Sequence, residues 1–217
     1  IAPAARSGDR RFDPVTGLPR LGVALADIAH LTPHLDPLHC VGITTLAVLP
    51  DPALLRLTPE AERRLRGEIT RRLVAALRPQ DRLYAAGHWE WLLVLAGLPS
   101  NVPLMQAMMR LDALFADPLP VSDGSVLTLR VACGGALCPE DGVDPRHLVQ
   151  SARIACLTAD RTGSRYAAYD PAMEQTDSAQ QQLHAELPRA LAGAPGLSLW
   201  LQPQIDLGSG RCVGCEA

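Results

Sequence analysis

The stretch from Thr58 to Leu77 constrains this chain more than any other. Its apolar residues Ala61, Leu65, Ile69, Leu73, Ala76 and Leu77 recur at helical spacing, so the segment reads as a helix with one face that must be covered. Thr58 ahead of Pro59 supplies an N-cap and a first-turn proline, and Arg71, Arg72 and Arg78 gather near the other end, where the helix dipole favours cations. The covering surface comes from its neighbours. Val41 to Leu49 is apolar, rich in β-branched residues and ended by Pro50 and Pro52, which predicts a buried strand. Asp81 to Ala86 and Trp91 to Ala96 predict two short strands about a Gly87-His88 hairpin turn. A helix over Val102 to Phe115, a strand over Val126 to Leu137, a helix over Pro145 to Thr158 and a strand over Arg165 to Tyr169 follow. With a further helix ahead of the first strand, this order predicts an α+β sandwich, helices covering a mainly antiparallel central sheet.

Composition removes several alternatives. The chain has 217 residues, a formal charge of -3 and 47% hydrophobic residues, which fits a folded domain plus a remainder and gives no basic surface for nucleic acid. All 20 basic residues are Arg. Chemistry that needs a P-loop or Schiff-base lysine is therefore excluded. No apolar run approaches the roughly 18 residues of a membrane span, and the first residues carry no secretory pattern, so a cytoplasmic location without membrane contact is expected. The six cysteines are scattered, and a disulfide framework is not expected. In Cys212-Val-Gly-Cys215 the two thiols would face opposite ways on a strand, and without a second pair they do not suggest zinc.

The first domain is expected to close at about residue 172. Gln175 to Gln182 is polar, and Leu183, Leu187 and Leu191 then form one helical stripe, which predicts a linker helix over 173–196. Two strands, Leu197 to Leu207 and Arg211 to Ala217, are expected about Gly208-Ser209-Gly210. Two strands do not make a stable domain, so 197–217 is expected to be the start of a larger one.

Several blocks carry a family likeness. Asp13-Pro-Val-Thr-Gly-Leu-Pro19, Arg78-Pro-Gln-Asp81 ahead of Gly87-His-Trp-Glu-Trp91, Cys133-Gly-Gly-Ala-Leu-Cys-Pro-Glu-Asp-Gly142 and Ala159-Asp-Arg-Thr-Gly-Ser-Arg165 stand in the order of the DPLTGLP, RxxD–GGDEF, SIGIAxYPEDG and AKxxGxNR blocks of GGDEF domains. The chain thus resembles the diguanylate cyclase family, which implies the nucleotidyl-cyclase-like sandwich for 1–172. Near the other end, Leu201-Gln-Pro-Gln-Ile-Asp-Leu207 and Gly210-Arg-Cys-Val-Gly-Cys-Glu-Ala217 resemble the first strands of an EAL domain, the cyclic-di-GMP phosphodiesterase family. That likeness implies a dinucleotide contact at Gln202 and a metal ligand at Glu216. One Glu on an isolated strand hydrolyses nothing by itself.

Against the GGDEF pattern, the residues that the cyclase reaction needs are altered. An ungapped count back from Gly67 leaves Asp51 as the remnant of the first metal carboxylate. The second falls on Trp89, whose indole offers Mg²⁺ no lone pair, and His88 replaces the glycine that lets phosphate approach the turn. The lysine of the AK pair falls on Asp160. Loss of metal, cradle and cation together implies a non-catalytic, degenerate domain without a cofactor. Glu90 is expected to be an exposed hairpin residue and His88 a solvent-facing one. Trp91 is expected in the core, whereas Trp89 has two readings, an exposed interface anchor or an indole folded over aliphatic neighbours.

The resemblance also implies a regulatory site, in which Arg78 and Asp81 hold cyclic-di-GMP; the alternative reading is an ordinary capped helix exit. The guanidinium fork matches the O6/N7 edge of guanine. The expected role is a regulatory or receptor module of a GGDEF–EAL protein in cyclic-di-GMP signalling, acting on the attached EAL domain. The alternatives are a nucleotide-free scaffold that dimerises or binds a protein, and an allosteric GTP-binding domain.

Overall fold

A computed structural model describes residues 10–34, 38–121, 126–193, 195, 198 and 200–216. Helix α1 (Leu21–Leu31) precedes strand β1 (Cys40–Val48), which leads to α2 (Pro59–Ala76), β2 (Arg82–Ala85), β3 (Glu90–Leu98) and α3 (Asn101–Ala113). Next come β4 (Leu119–Pro120), β5 (Val126–Leu127), β6 (Val131–Cys138), α4 (Pro145–Thr162), β7 (Tyr166–Ala168), α5 (Ala172–Leu191), β8 (Gln202–Ile205) and β9 (Cys212–Glu216).

The central sheet has the order β2-β3-β1-β6-β7. Three of its pairings are antiparallel, and β6 with β7 is parallel. The parallel edge follows from connectivity, because α4 carries the chain back across the sheet before β7 begins. The alternation along the strands sorts the core into two layers. Trp91, Leu93 and Leu95 of β3 pack with Leu65, Ile69 and Leu73 of α2 and with Leu104, Met108 and Leu111 of α3. Leu92 and Val94 face the other way, with Ala24 and Ile28 of α1 and Leu148, Val149 and Ala152 of α4. The α+β sandwich expected from the sequence is the one observed.

Local chemistry accounts for the main ends. Thr58 accepts from the Ala61 amide at 3.2 Å to open α2, and Asp144 accepts from the His147 amide at 2.8 Å to open α4. Gly163, with φ of 70°, closes α4 in the left-handed conformation. Gly134 of β6 has a packing role: a Cβ there would lie 2.0 Å from the Cys156 amide nitrogen, so its absence lets α4 rest directly on the strand.

Three expectations need correction. The strand foreseen over Val126 to Leu137 is two pieces, since β5 turns aside to pair with β4 and only β6 enters the main sheet. The linker helix expected over 173–196 runs instead from Ala172 to Leu191, with the Gln-rich stretch inside it, whose unbranched side chains favour helix. The last two strands are shorter than expected, and the expected ends at Leu197 and Ala217 lie outside the described residues. The chain divides into two compact units, Ile1–Met173 and Glu174–Ala217. In the second, β8 and β9 form their own two-stranded antiparallel sheet.

Candidate functional site

The β2–β3 hairpin is built on register. Arg82 to Ala85 pair with Val94 to Trp91, and the Ala86 and Gly87 amides both donate to the Glu90 carbonyl, at 3.0 and 3.1 Å. The turn therefore occupies Ala86 to Trp89, longer than a two-residue Gly87-His88 turn. The Val48 amide donates to the Trp89 carbonyl at 2.9 Å, which ties the turn to the end of β1.

Each altered side chain of the hairpin has its own partner. His88 sits largely in solvent with Nε2 2.9 Å from Oε1 of Glu62 on α2. Trp89 is partly buried against the α2–α3 side of the core, with the His88 ring edge-on at 5.5 Å, so of its two readings the folded-over indole describes it. Trp91 is buried and its indole donates to the Thr70 hydroxyl of α2 at 3.1 Å. Glu90 is the correction. It is not an exposed carboxylate but the acceptor of a two-pronged bond from Arg153 of α4, Nε to Oε1 at 2.6 Å and a terminal nitrogen to Oε2 at 3.2 Å. Pleat parity explains this: Trp89 and Trp91 face α2, so Glu90 between them faces α4. A Cβ on Gly87 would lie 3.0 Å from Oε2 of Glu90, so that glycine gives the carboxylate its room.

Asp51 follows β1 and accepts from the Ala53 amide at 2.7 Å, capping the turn that leads toward α2. Among the described residues no group of three His, Cys, Asp or Glu side chains is placed to hold a metal. With an indole at Trp89, Asp51 in its turn and Glu90 engaged by a guanidinium, the donor set does not fit a divalent ion that prefers several oxygen ligands. Asp160, at the expected lysine position, lies 3.6 Å from Arg130.

Arg78 and Asp81 meet in a fork, with Arg78 Nε and a terminal nitrogen at 2.9 and 2.8 Å from the two carboxylate oxygens. The same guanidinium donates to the Ala96 carbonyl at 3.0 Å, and Asp81 accepts from the Ala96 amide at 3.3 Å. The motif thus clamps the exit of α2 to β3. Hydrogen bonding to Asp81 raises the Arg78 pKa against the opposing effect of burial. Arg78 remains 43% exposed while Asp81 is 4% exposed, so the cation is the accessible half. Both line a small cleft of about 70 Å³ between α2, β3 and α3, whose lining also includes Arg110 of α3. Sequence reasoning missed Arg110. Its distance from Arg78 along the chain hides the fact that α3 lies beside α2 on the sheet.

In the second unit, Gln202 and Glu216 are direct partners across β8 and β9. The register places the two expected residues side by side on one face of this sheet. Leu183 and Leu191 of α5 are exposed and Leu187 is 39% exposed. All six cysteines are free. No helix among the described residues is long and apolar enough to cross a membrane.

No family model matches the chain, and no curated protein matches it. Solved structures do. The GGDEF domain of YfiN (TpbB) from Pseudomonas aeruginosa is 22% identical with a TM-score of 0.65, covering 77% of this chain and 99% of that one. The FimX GGDEF domain from the same organism is 16% identical with a TM-score of 0.64, covering 73% and 97%. The GGDEF domain of DgcB from Caulobacter crescentus, in complex with c-di-GMP, is 12% identical with a TM-score of 0.64, covering 76% and 95%. The order of strands, the two helical layers and these likenesses agree: the chain has a GGDEF-like, nucleotidyl-cyclase-like α+β fold.

Proposed function

We propose that this chain is a degenerate GGDEF domain followed by the start of an EAL domain, and that it serves cyclic-di-GMP signalling as a non-catalytic regulatory or receptor module. The observation that carries the reading is the state of the hairpin. Its third position holds an indole packed on the core, and its remaining carboxylate, Glu90, is held by Arg153. A triphosphate there would meet neither a metal carboxylate nor a vacant glycine nest.

The ligand reading rests on the cleft beside Arg78. Cyclic-di-GMP carries two phosphates and two guanines, and the exposed Arg78 and Arg110 that line one cleft suit that chemistry. The c-di-GMP complex of the similarly folded DgcB domain supports it. The side-by-side Gln202 and Glu216 support the EAL reading of the second unit, which the first would regulate. A specific observation also favours the scaffold alternative: Asp81 is already saturated by Arg78 and Ala96, so the fork stands complete without a nucleotide.

Calorimetric titration with cyclic-di-GMP decides between them. The expected result is binding that weakens about tenfold or more in Arg110→Ala, an exposed change that leaves the Arg78–Asp81 clamp intact. Absence of heat with the wild-type chain would leave the scaffold. Incubation with GTP and Mg²⁺ followed by chromatography is expected to yield no dinucleotide, and its formation would end the non-catalytic reading.

A further inference from the structure

A second cleft, about 410 Å³, opens on the flank of the hairpin turn, between the start of α1, α2 and the Gly87-His88 corner. It contains neither Arg78 nor Arg110, and nothing about it depends on the function proposed above.

Its charge balance is uneven. Asp13 is shared by two guanidiniums. Arg66 reaches its Oδ2 at 3.1 Å, and Arg20 lies close enough to act on it electrostatically. Burial pushes the Asp13 carboxyl up, but the Thr16 hydroxyl and amide and the two arginines outweigh it and hold the pKa below the usual range. The carboxylates beside the Gly87-His88 corner are engaged elsewhere, Glu62 by His88 and Glu90 by Arg153. Two cations thus face one anion at this wall.

Two sets of donors are also left over. Arg66 is 5% exposed, yet its Nε has no acceptor. A buried guanidinium with an unmade bond is costly, and an added anion would offset that cost. Opposite it, α1 starts without a cap: Arg20 at the N-cap gives no side-chain bond, and the first turn holds no acidic residue. The Leu21 amide is turned to the Ala85 carbonyl by the parallel bridge between Arg20 and Ala85, but the Gly22 amide has no acceptor among the described residues, and Gly22 lines the cleft. The positive end of the helix dipole is therefore uncompensated where the spare arginine charge gathers.

We propose that this cleft binds a tetrahedral oxyanion, phosphate or the phosphoryl group of a phosphate ester, between the α1 N-terminus and the Arg20–Arg66 pair. The Gly22 amide, the unpartnered Arg66 Nε and the terminal nitrogens of Arg20, whose Nε donates to the Phe12 carbonyl, would take its oxygens.

Gly22→Asp provides a test that does not threaten folding. Gly22 is exposed, its backbone is ordinary, and an added Cβ would meet nothing within 4 Å. A carboxylate in the first turn also favours the helix dipole while repelling an anion. Thermal unfolding of the intact chain is followed in phosphate against chloride of equal ionic strength. The wild type is expected to gain Tm with phosphate, Gly22→Asp to unfold at or above the wild-type Tm without that gain, and Arg20→Gln to bind phosphate about tenfold more weakly. Arg110→Ala should bind phosphate as the wild type does, which separates this site from the cleft beside Arg78. Competition by GTP that is lost in Gly22→Asp would assign a nucleotide phosphoryl group; phosphate binding without such competition would assign the free oxyanion. A wild-type chain with no phosphate-specific gain, or a Gly22→Asp chain that keeps it, overturns the proposal.

Discussion

The Arg153–Glu90 pair ties the turn end of the hairpin to α4, and its strength can be predicted. Its nitrogen–oxygen separations are 2.6 and 3.2 Å, and about a quarter to a third of each side chain stays exposed, 24% for Glu90 and 32% for Arg153. Two unit charges about 3 Å apart attract by about 1.4 kcal/mol in bulk water and about 5.5 kcal/mol at the effective dielectric of about 20 typical near a protein surface. Ordering two side chains and solvent screening reduce this to a net coupling of about 1 kcal/mol. A double-mutant cycle of Glu90→Gln, Arg153→Met and the pair, unfolded in urea, measures that coupling directly. Each single change should lower Tm by about 2–4 °C, and the double variant should lose less than the sum. The coupling should shrink in high salt. A coupling below about 0.3 kcal/mol at low salt would refute the view that this pair holds the hairpin on α4. The indole of Trp89, next in sequence, offers a local fluorescence readout of the same event.

Other parts of the fold carry their own tests. Gly134→Ala should cost about 3 kcal/mol by urea denaturation, because its Cβ would fall 2.0 Å from the Cys156 amide nitrogen and push α4 off the sheet; a loss within 0.5 kcal/mol would contradict that packing. Trp91→Phe removes the bond to Thr70 and part of a fully buried ring, an expected loss of about 1–3 kcal/mol with no change in oligomeric state by sedimentation. Hydrogen bonding from Arg71, then Arg72, outweighs burial and holds Glu68 at about 2, below its ordinary 4.5. A folded pKa below the unfolded one means that this contribution is present above about pH 4.5 and fades as pH falls toward about 2. Glu68→Gln should therefore flatten the stability profile over that interval, and an unchanged acid limb would show that the pair contributes nothing.

The layered fold was legible because its signals are local. The helical spacing from Ala61 to Leu73, the apolar run of β1 and the proline stops are consequences of the 3.6 and 2 residue periods, which any chain displays along its own length. The indole at position 89 and the Arg78–Asp81 spacing were readable for the same reason. The break between Leu127 and Val131 was not, since both pieces are equally apolar and only their partners differ.

What the sequence determined by itself is residue identity at each position of a hairpin: which chemistry is present and which is gone. Only the tertiary structure decided what each of those residues touches. Arg153 stands 63 positions from Glu90 and Arg66 stands 53 from Asp13, and neither pairing leaves a periodic trace. The same holds for Arg110 lining one cleft with Arg78 and for Gln202 beside Glu216. Long-range pairing depends on how helices settle onto a sheet, and that is set by the packing of whole layers rather than by any segment alone.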